Sequence, residues 1–219
     1  MVLATTLGVL SGVLQALGYV LYARGLYRHE RDPNPTSWLM WAYGTTLVAV
    51  LEWDRNATWI ELALPVVCSV SSVGIALLCW WKGTMRWPEH HADRAAFGAD
   101  VLMTVGYLGA WFLLSYGMLS VEGRAVTSLG FLLLANATII TSFIPQMREY
   151  AEDPKNQSVL PWAVWTSAYA VLALATYLNS GFMSELMLYP TLCVAVHAYT
   201  TRLLVRPRRK ARLEAGHLR

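Results

Sequence analysis

Three stretches in the first half of this chain return in the second half at nearly fixed spacing. Trp38-Leu39-Met40-Trp41 comes back as Trp162-Ala163-Val164-Trp165, and Glu61-Leu62-Ala63-Leu64-Pro65-Val66-Val67-Cys68 as Glu185-Leu186-Met187-Leu188-Tyr189-Pro190-Thr191-Leu192-Cys193. Leu7-Gly8-Val9-Leu10 is matched by Leu129-Gly130-Phe131-Leu132. The matches keep their order and lie 122 to 125 residues apart. With ten Trp in an apolar chain, one shared Trp-x-x-Trp would carry little weight. Three ordered matches at one offset are those of a duplicated unit, and a duplicated hydrophobic bundle marks a transporter.

The class follows from composition. The chain is 56% hydrophobic and 14% charged, where a globular domain runs near 25% charged, on the order of twice as much. It reads as an all-α integral membrane protein. Apolar runs bounded by charges or turn residues give seven transmembrane helices near 3–23, 37–52, 59–81, 96–119, 126–147, 159–178 and 182–204. The second is short and extends naturally through Pro35 and Trp53. The first run lacks a basic leader and continues into Tyr19, Tyr22 and Arg24, so it reads as a span and not a cleaved signal. Seven spans leave no soluble domain. The three Cys (Cys68, Cys79, Cys193) fall inside spans as small packing residues.

Charge orients the bundle. With the N-terminus outside, Arg24, Arg28, Arg31, Lys82, Arg86, Arg94, Arg148, Lys155 and the basic tail all face the cytoplasm. Only Arg55 and Arg124, two of the 17 Lys and Arg, remain outside. The chain is expected N-out and C-in, in the plasma (inner) membrane. The tail Arg206-Pro207-Arg208-Arg209-Lys210-Ala211-Arg212 reads as a juxtamembrane anchor on anionic lipid of the bilayer, with no nucleic-acid role. Homo-oligomerisation stays open.

The repeat sets spans 1–3 against spans 5–7 and leaves span 4 between them. Three helices return the chain to the opposite side, so a linker span is needed before a second bundle can start in the first one's orientation. The expectation is two parallel three-helix bundles joined by a linker helix (3+1+3): residues 1–82, a linker at 83–124, residues 125–205 and a tail at 206–219. Gly98, Gly106, Gly109 and Gly117 would let the linker lie close against its neighbours. Near the end of span 5, Pro145 removes the bond to the Thr141 carbonyl and predicts a kink or hinge. Gln146 is placed to satisfy a freed carbonyl or reach a partner helix.

A parallel 3+1+3 layout resembles the PQ-loop superfamily when joined to three further features. These are Pro145-Gln146, a polar loop ending in Gln157-Ser158-Val159, and an aromatic-rich next helix. That group includes the SWEET and SemiSWEET sugar transporters, cystinosin-like exporters and the KDEL receptor, with PnuC vitamin transporters as architectural neighbours. The first repeat carries Ala23-Arg24 where the second has Pro-Gln, so half the signature is absent. The resemblance implies a solute site near mid-membrane between the bundles.

Equivalent repeat positions should face one another there: Trp41 with Trp165, Thr45 with Tyr169, Ser72 with His197. Spacings of three and four put each set on one helix face. Two indoles would form a slot for a flat ring or the apolar face of a sugar. Trp38 and Trp162, at the span ends, are expected in the interfacial belt. SWEET-like proteins place an Asn in the third helix of each bundle to bind sugar hydroxyls; this chain offers Ser69, Ser71, Ser72, Thr191 and His197 instead. Gln15 and Asn136 sit at nearly matching depths, as interhelical bonds or solute contacts. Asp100, near a span end, is expected to snorkel to water, and with no acid at mid-depth facilitated diffusion is the simpler expectation. The leading function is a transporter of a small polar or aromatic solute (sugar, vitamin or nucleoside, amino acid); a receptor or accessory protein on the same scaffold is the alternative. No catalytic motif, metal cluster or cofactor site is read, and no lysine stands in mid-span for a retinal Schiff base.

Overall fold

The computed structural model describes residues 2–28, 33–152 and 158–216, with 152 and 206–216 described by backbone alone. Among these residues there is no strand. The chain runs through α1 (Val2–Tyr27), α2 (Pro35–Asp54), α3 (Trp59–Trp81), α4 (His91–Ser115) and α5 (Val121–Ser142). It continues as α6 (Ile144–Glu152), α7 (Val159–Ser180), a 3-10 turn (Glu185–Met187) and α8 (Leu188–Gly216). Five stretches are long and apolar enough to cross a membrane: α1, α3, α4, α7 and Val121–Ala151, which joins α5 to α6. α2 and α8 have spanning length but are more polar, α2 through Glu52 and Asp54 and α8 through Arg202 and the basic run beyond it. Apolar side chains such as Val9, Val13, Val70, Leu77, Leu102 and Val105 stand exposed along the helices, the surface that lipid requires.

Local chemistry explains the boundaries. Asn34 caps α2 by accepting from Ser37 N at 2.9 Å, with Pro35 at the first helical position. Thr58 and Glu61 form a capping box at the start of α3. α4 ends at Ser115 and not near 119, because Gly117 adopts φ +68 and Met118 N turns back to the Leu113 carbonyl at 2.9 Å. Of its three glycines, only Gly106 meets a neighbour closely, Phe131 on α5; Gly98 and Gly109 face open space. The last helix runs on through the basic tail to Gly216, while the tail's side chains, with the expected lipid contacts, lie outside the described residues. So do Arg31 and the loop from Asp153 to Gln157.

The helix is interrupted just before Pro145. α5 stops at Ser142, Phe143 is a turn, and α6 resumes with Met147 N bonded to the Phe143 carbonyl at 2.8 Å. Gln146 does not serve as expected: it is fully buried, and neither atom of its amide has a partner.

Packing follows two parallel patterns. α3 lies against both α1 and α2, and α8 against α7 and more lightly α5. Across the molecule α1 packs on α7 and α2 on α5, while α4 lies on α5 and touches α2. Asp100 departs from expectation. It is fully buried on α4 and accepts the Thr138 hydroxyl of α5 at 2.5 Å, because its helix face is the one pressed onto α5 and α2. Tyr43 adds a second tie, donating to Thr104 Oγ1 at 2.7 Å.

Candidate functional site

Helical spacing builds the site from two stripes. On α2, Trp38, Trp41, Thr45, Val48 and Glu52 are buried along one face; on α7, Trp162, Trp165, Tyr169, Leu172 and Thr176 are. The two faces correspond position by position at an offset of 124. Trp38 and Trp162 are each 1% exposed, so they belong to this interior and not to an interfacial belt. α1 adds Gln15, Tyr19 and Tyr22, and α8 adds Tyr189, Cys193 and His197.

The Trp, Thr45 and Tyr169 positions of these stripes, with Gln15, Tyr19, Tyr189, Cys193 and His197, line a cavity of about 20 Å³, room for about one water. Gln15, Trp41, Thr45, Trp165, Tyr169 and His197 all line it. Ser72 stands one shell back, hydrogen-bonded to the Tyr19 hydroxyl at 2.8 Å. Asn136 is not brought to the cavity: its amide donates to the Leu132 carbonyl of its own helix at 2.8 Å, which satisfies it without a neighbour. The ring that meets Trp41 across the molecule is Trp162, at 6.1 Å between centroids, while Trp165 stacks edge-on to Trp162 at 5.1 Å. His197 anchors its Nδ1 on the Cys193 carbonyl at 2.8 Å and lies 4.7 Å from Tyr169.

Tyr19, Cys68, Phe143 and Tyr189 line the cavity without having been singled out. The repeat offered one signal, since Cys68 and Cys193 are matched residues. In the fold Cys68 joins the halves: Tyr19 lies 3.2 Å from its sulfur and Tyr169 donates to it at 3.5 Å, then meets Tyr189 at 3.0 Å. Among the described residues, no Asp, Glu, Lys or Arg lines the cavity.

Polar contacts cross between the halves at both ends. Near the α2–α3 loop, Arg55 bonds Glu185 through Nε at 3.1 Å and the Ala125 carbonyl at 3.0 Å. Asn179 of α7 donates to Glu61 of α3 at 2.7 Å, joined by Ser180 at 2.5 Å. Arg55 corresponds to Asn179, and Glu61 to Glu185, at the offset of 124. The two contacts are therefore the same clasp made once by each half. Asp54 also takes Arg124 and Ser128 from α5. The bonds from Arg55 hold the Glu185 carboxyl below the usual carboxylate range. At the opposite end Asn34 donates to Glu149 at 3.0 Å and Arg148 pairs with Asp93. A polar recess of about 670 Å³, lined by Pro145 among others, opens there.

The arrangement is a small aromatic chamber lined from α1, α2, α3, α5, α7 and α8, with polar contacts between the first and second halves of the chain toward both ends of the molecule. No protein-family model matches the chain, and no curated protein or solved structure does either.

Proposed function

We propose that the protein moves a small polar or aromatic solute across the membrane by alternating access, rocking α1–α3 against α5–α8 with α4 as linker in a 3+1+3, PQ-loop-like arrangement. The observation that carries this reading is the central cavity with cross-half contacts toward both ends of the molecule, since a carrier needs a central site and two gates. Further support comes from the packing: α1 on α7, α2 on α3 and α1 on α3 exchange with α2 on α5, α7 on α8 and α5 on α8 when α1, α2 and α3 are swapped for α5, α7 and α8, although α3 on α7 has no comparable counterpart in α8 on α2. The contacts of Arg55 with Glu185 and of Asn179 with Glu61 obey the same swap. With the charge bias setting the N-terminus outside, Arg55–Glu185 and Asn179–Glu61 form the outer gate, and the Asn34–Glu149 contact belongs to the inner one. Pro145 lets the α5–α6 helix flex beside the inner recess.

Cross-linking tests this. In the double variant Arg55→Cys, Glu185→Cys reconstituted in proteoliposomes, disulfide formation is expected to stop solute flux and reduction to restore it. Flux that continues through a fully cross-linked sample refutes alternating access. Saturable binding with no flux in any variant shifts the reading to a receptor on the same scaffold.

A further inference from the structure

The central cavity is aromatic and lined by no Asp, Glu, Lys or Arg among the described residues, yet three polar atoms on its lining residues have no partner in the protein: Gln15 Oε1, Trp41 Nε1 and Trp162 Nε1. Their residues are 1%, 6% and 1% exposed, and they come from α1, α2 and α7, two helix groups meeting at one point. The neighbouring indoles are satisfied. Trp38 Nε1 donates to the Tyr22 hydroxyl at 3.1 Å, and Trp165 Nε1 to the Gln15 backbone carbonyl at 3.3 Å. Each Trp-x-x-Trp pair thus uses one indole N–H inside the protein and leaves the other open. Other buried polar atoms outside the cavity also lack a protein partner, Gln146 among them, but three on the residues of one cavity form a set that a single group arriving from outside can satisfy.

The chemistry of that group can be read from what faces it. The lining offers no fixed charge, and transfer of an ion into such a site without a counter-charge is strongly unfavourable. Tyr19, Trp165, Tyr169 and the open Trp41 and Trp162 present ring faces and edges, which favour a flat partner. Two open donors and one open acceptor satisfy a ligand with two or so acceptor atoms and one N–H. A sugar, with hydroxyls around the whole ring, would leave most of them unmatched.

From this we infer that the solute is an uncharged single-ring heteroaromatic bearing an amide or imide edge: its oxygens accept from Trp41 Nε1 and Trp162 Nε1, and its N–H donates to Gln15 Oε1. The inference deepens the transport reading and rests on it only for the direction of use, since binding can be measured alone. At about 20 Å³ the closed chamber is far smaller than a ring, so the ligand enters when the seam parts and the three atoms meet it as the halves close.

The test uses the full chain purified in detergent, with uracil and nicotinamide as probes. Orotate and nicotinate are their charged counterparts, glucose and leucine the unrelated solutes, and 1,3-dimethyluracil the analogue without an N–H. Thermal shift and tryptophan quenching are the readouts. At least one neutral probe is expected to bind saturably, about tenfold or more tighter than its charged counterpart and than glucose or leucine. Trp41→Phe and Trp162→Phe keep the ring and should each weaken it about tenfold, while the exposed Trp53→Phe does not. Gln15→Met should erase the preference for uracil over dimethyluracil.

Tighter binding of glucose, leucine or the charged probes, or no binding of either neutral probe at millimolar concentration, overturns the inference. So does unchanged affinity in both folded Trp→Phe variants. Binding as expected but with no uracil or nicotinamide flux in proteoliposomes leaves the ligand class standing and removes the transport reading; glucose flux without heteroaromatic binding does the reverse.

Discussion

At Gly18 the backbone of α1 presses on Trp165 of α7, and adding one methyl there should separate the two helices. A Cβ at Gly18 would stand 2.2 Å from Trp165 Nε1 and 2.4 Å from its Cδ1. Ordinary contact begins near 3.4 Å, so the indole must retreat by about 1.2 Å. It has nowhere to go. Trp165 is 2% exposed, with Tyr19 at 5.1 Å, Tyr22 at 5.7 Å and Trp162 at 5.1 Å between centroids. Overpacking of this kind costs about 1–3 kcal/mol. Losing the Nε1 bond to the Gln15 carbonyl adds about 0.5–1.5 kcal/mol. The opposing gain, Ala over Gly in a helix, is at most about 1 kcal/mol. Gly18→Ala is therefore expected to destabilise by about 1–3 kcal/mol, a melting point lower by several degrees in detergent. Gly98→Ala and Gly74→Ala, where a Cβ meets nothing within 4 Å, provide the control and should leave the melting point unchanged or raise it. Because the methyl sits on the α1–α7 seam, Gly18→Ala should also depress flux by holding the halves apart. If it melts with the controls, the close seam is wrong and so is the chamber it closes.

Four other outcomes are expected. Glu61 accepts from Thr58, Asn179 and Ser180, whereas buried Glu52 has a carboxylate oxygen with no partner; Glu61→Gln should lower the melting point and Glu52→Gln should not. The Arg55 bonds depress the Glu185 carboxyl, so the clasp's contribution is complete above the ordinary carboxylate pKa and lost as pH falls through the depressed one. Opening rates of labelled outer ends should rise on acidification, and Arg55→Ala should abolish that dependence. Pro145→Ala returns a donor to the Thr141 carbonyl and should straighten the α5–α6 break, seen as a longer spin-label distance across it, with reduced flux; unchanged flux removes Pro145 from the mechanism. A C-terminal reporter fusion should be active only when its reporter works in the cytoplasm, as the charge bias requires.

The long helices were legible because lipid demands uninterrupted apolar runs and capping residues end them at the chain's own punctuation. α3 falls on 59–81 as expected, fixed by Thr58 and Glu61 at one end and by the turn through Gly83 at the other. The aromatic stripes were legible for the same reason, as period-3.6 spacing copied at a constant offset. Tertiary contact decided the rest. Gln15 and Asn136 have similar depth and chemistry, and both are buried, but only Gln15 lines the cavity; Asn136, one turn before Ile139 on α5, bonds its own backbone. Nothing in sequence separates the two, since the rotation of a helix follows from its neighbours. Asp100 is a similar case: distance from the span end argued for water, and the docking of α4 on α5 placed it in the interior.

The asymmetry between the two outer clasps follows from the same repeat that makes them equivalent. Each pairs the end of one half's second helix with a glutamate at the start of the other half's third helix, yet one donor is an arginine and the other an asparagine. A charged pair at a partly exposed site weakens with salt and with acid, while an amide bonded to a carboxylate responds less to salt. Opening should therefore begin at Arg55–Glu185 and hinge at Asn179–Glu61, so that high salt frees one side of the gate first. Exchanging the donors, Arg55→Asn with Asn179→Arg, would move the salt-sensitive label from the 3-10 turn before α8 to the start of α3. A salt response that stays at Glu185 after the exchange means that something other than the clasp controls the gate.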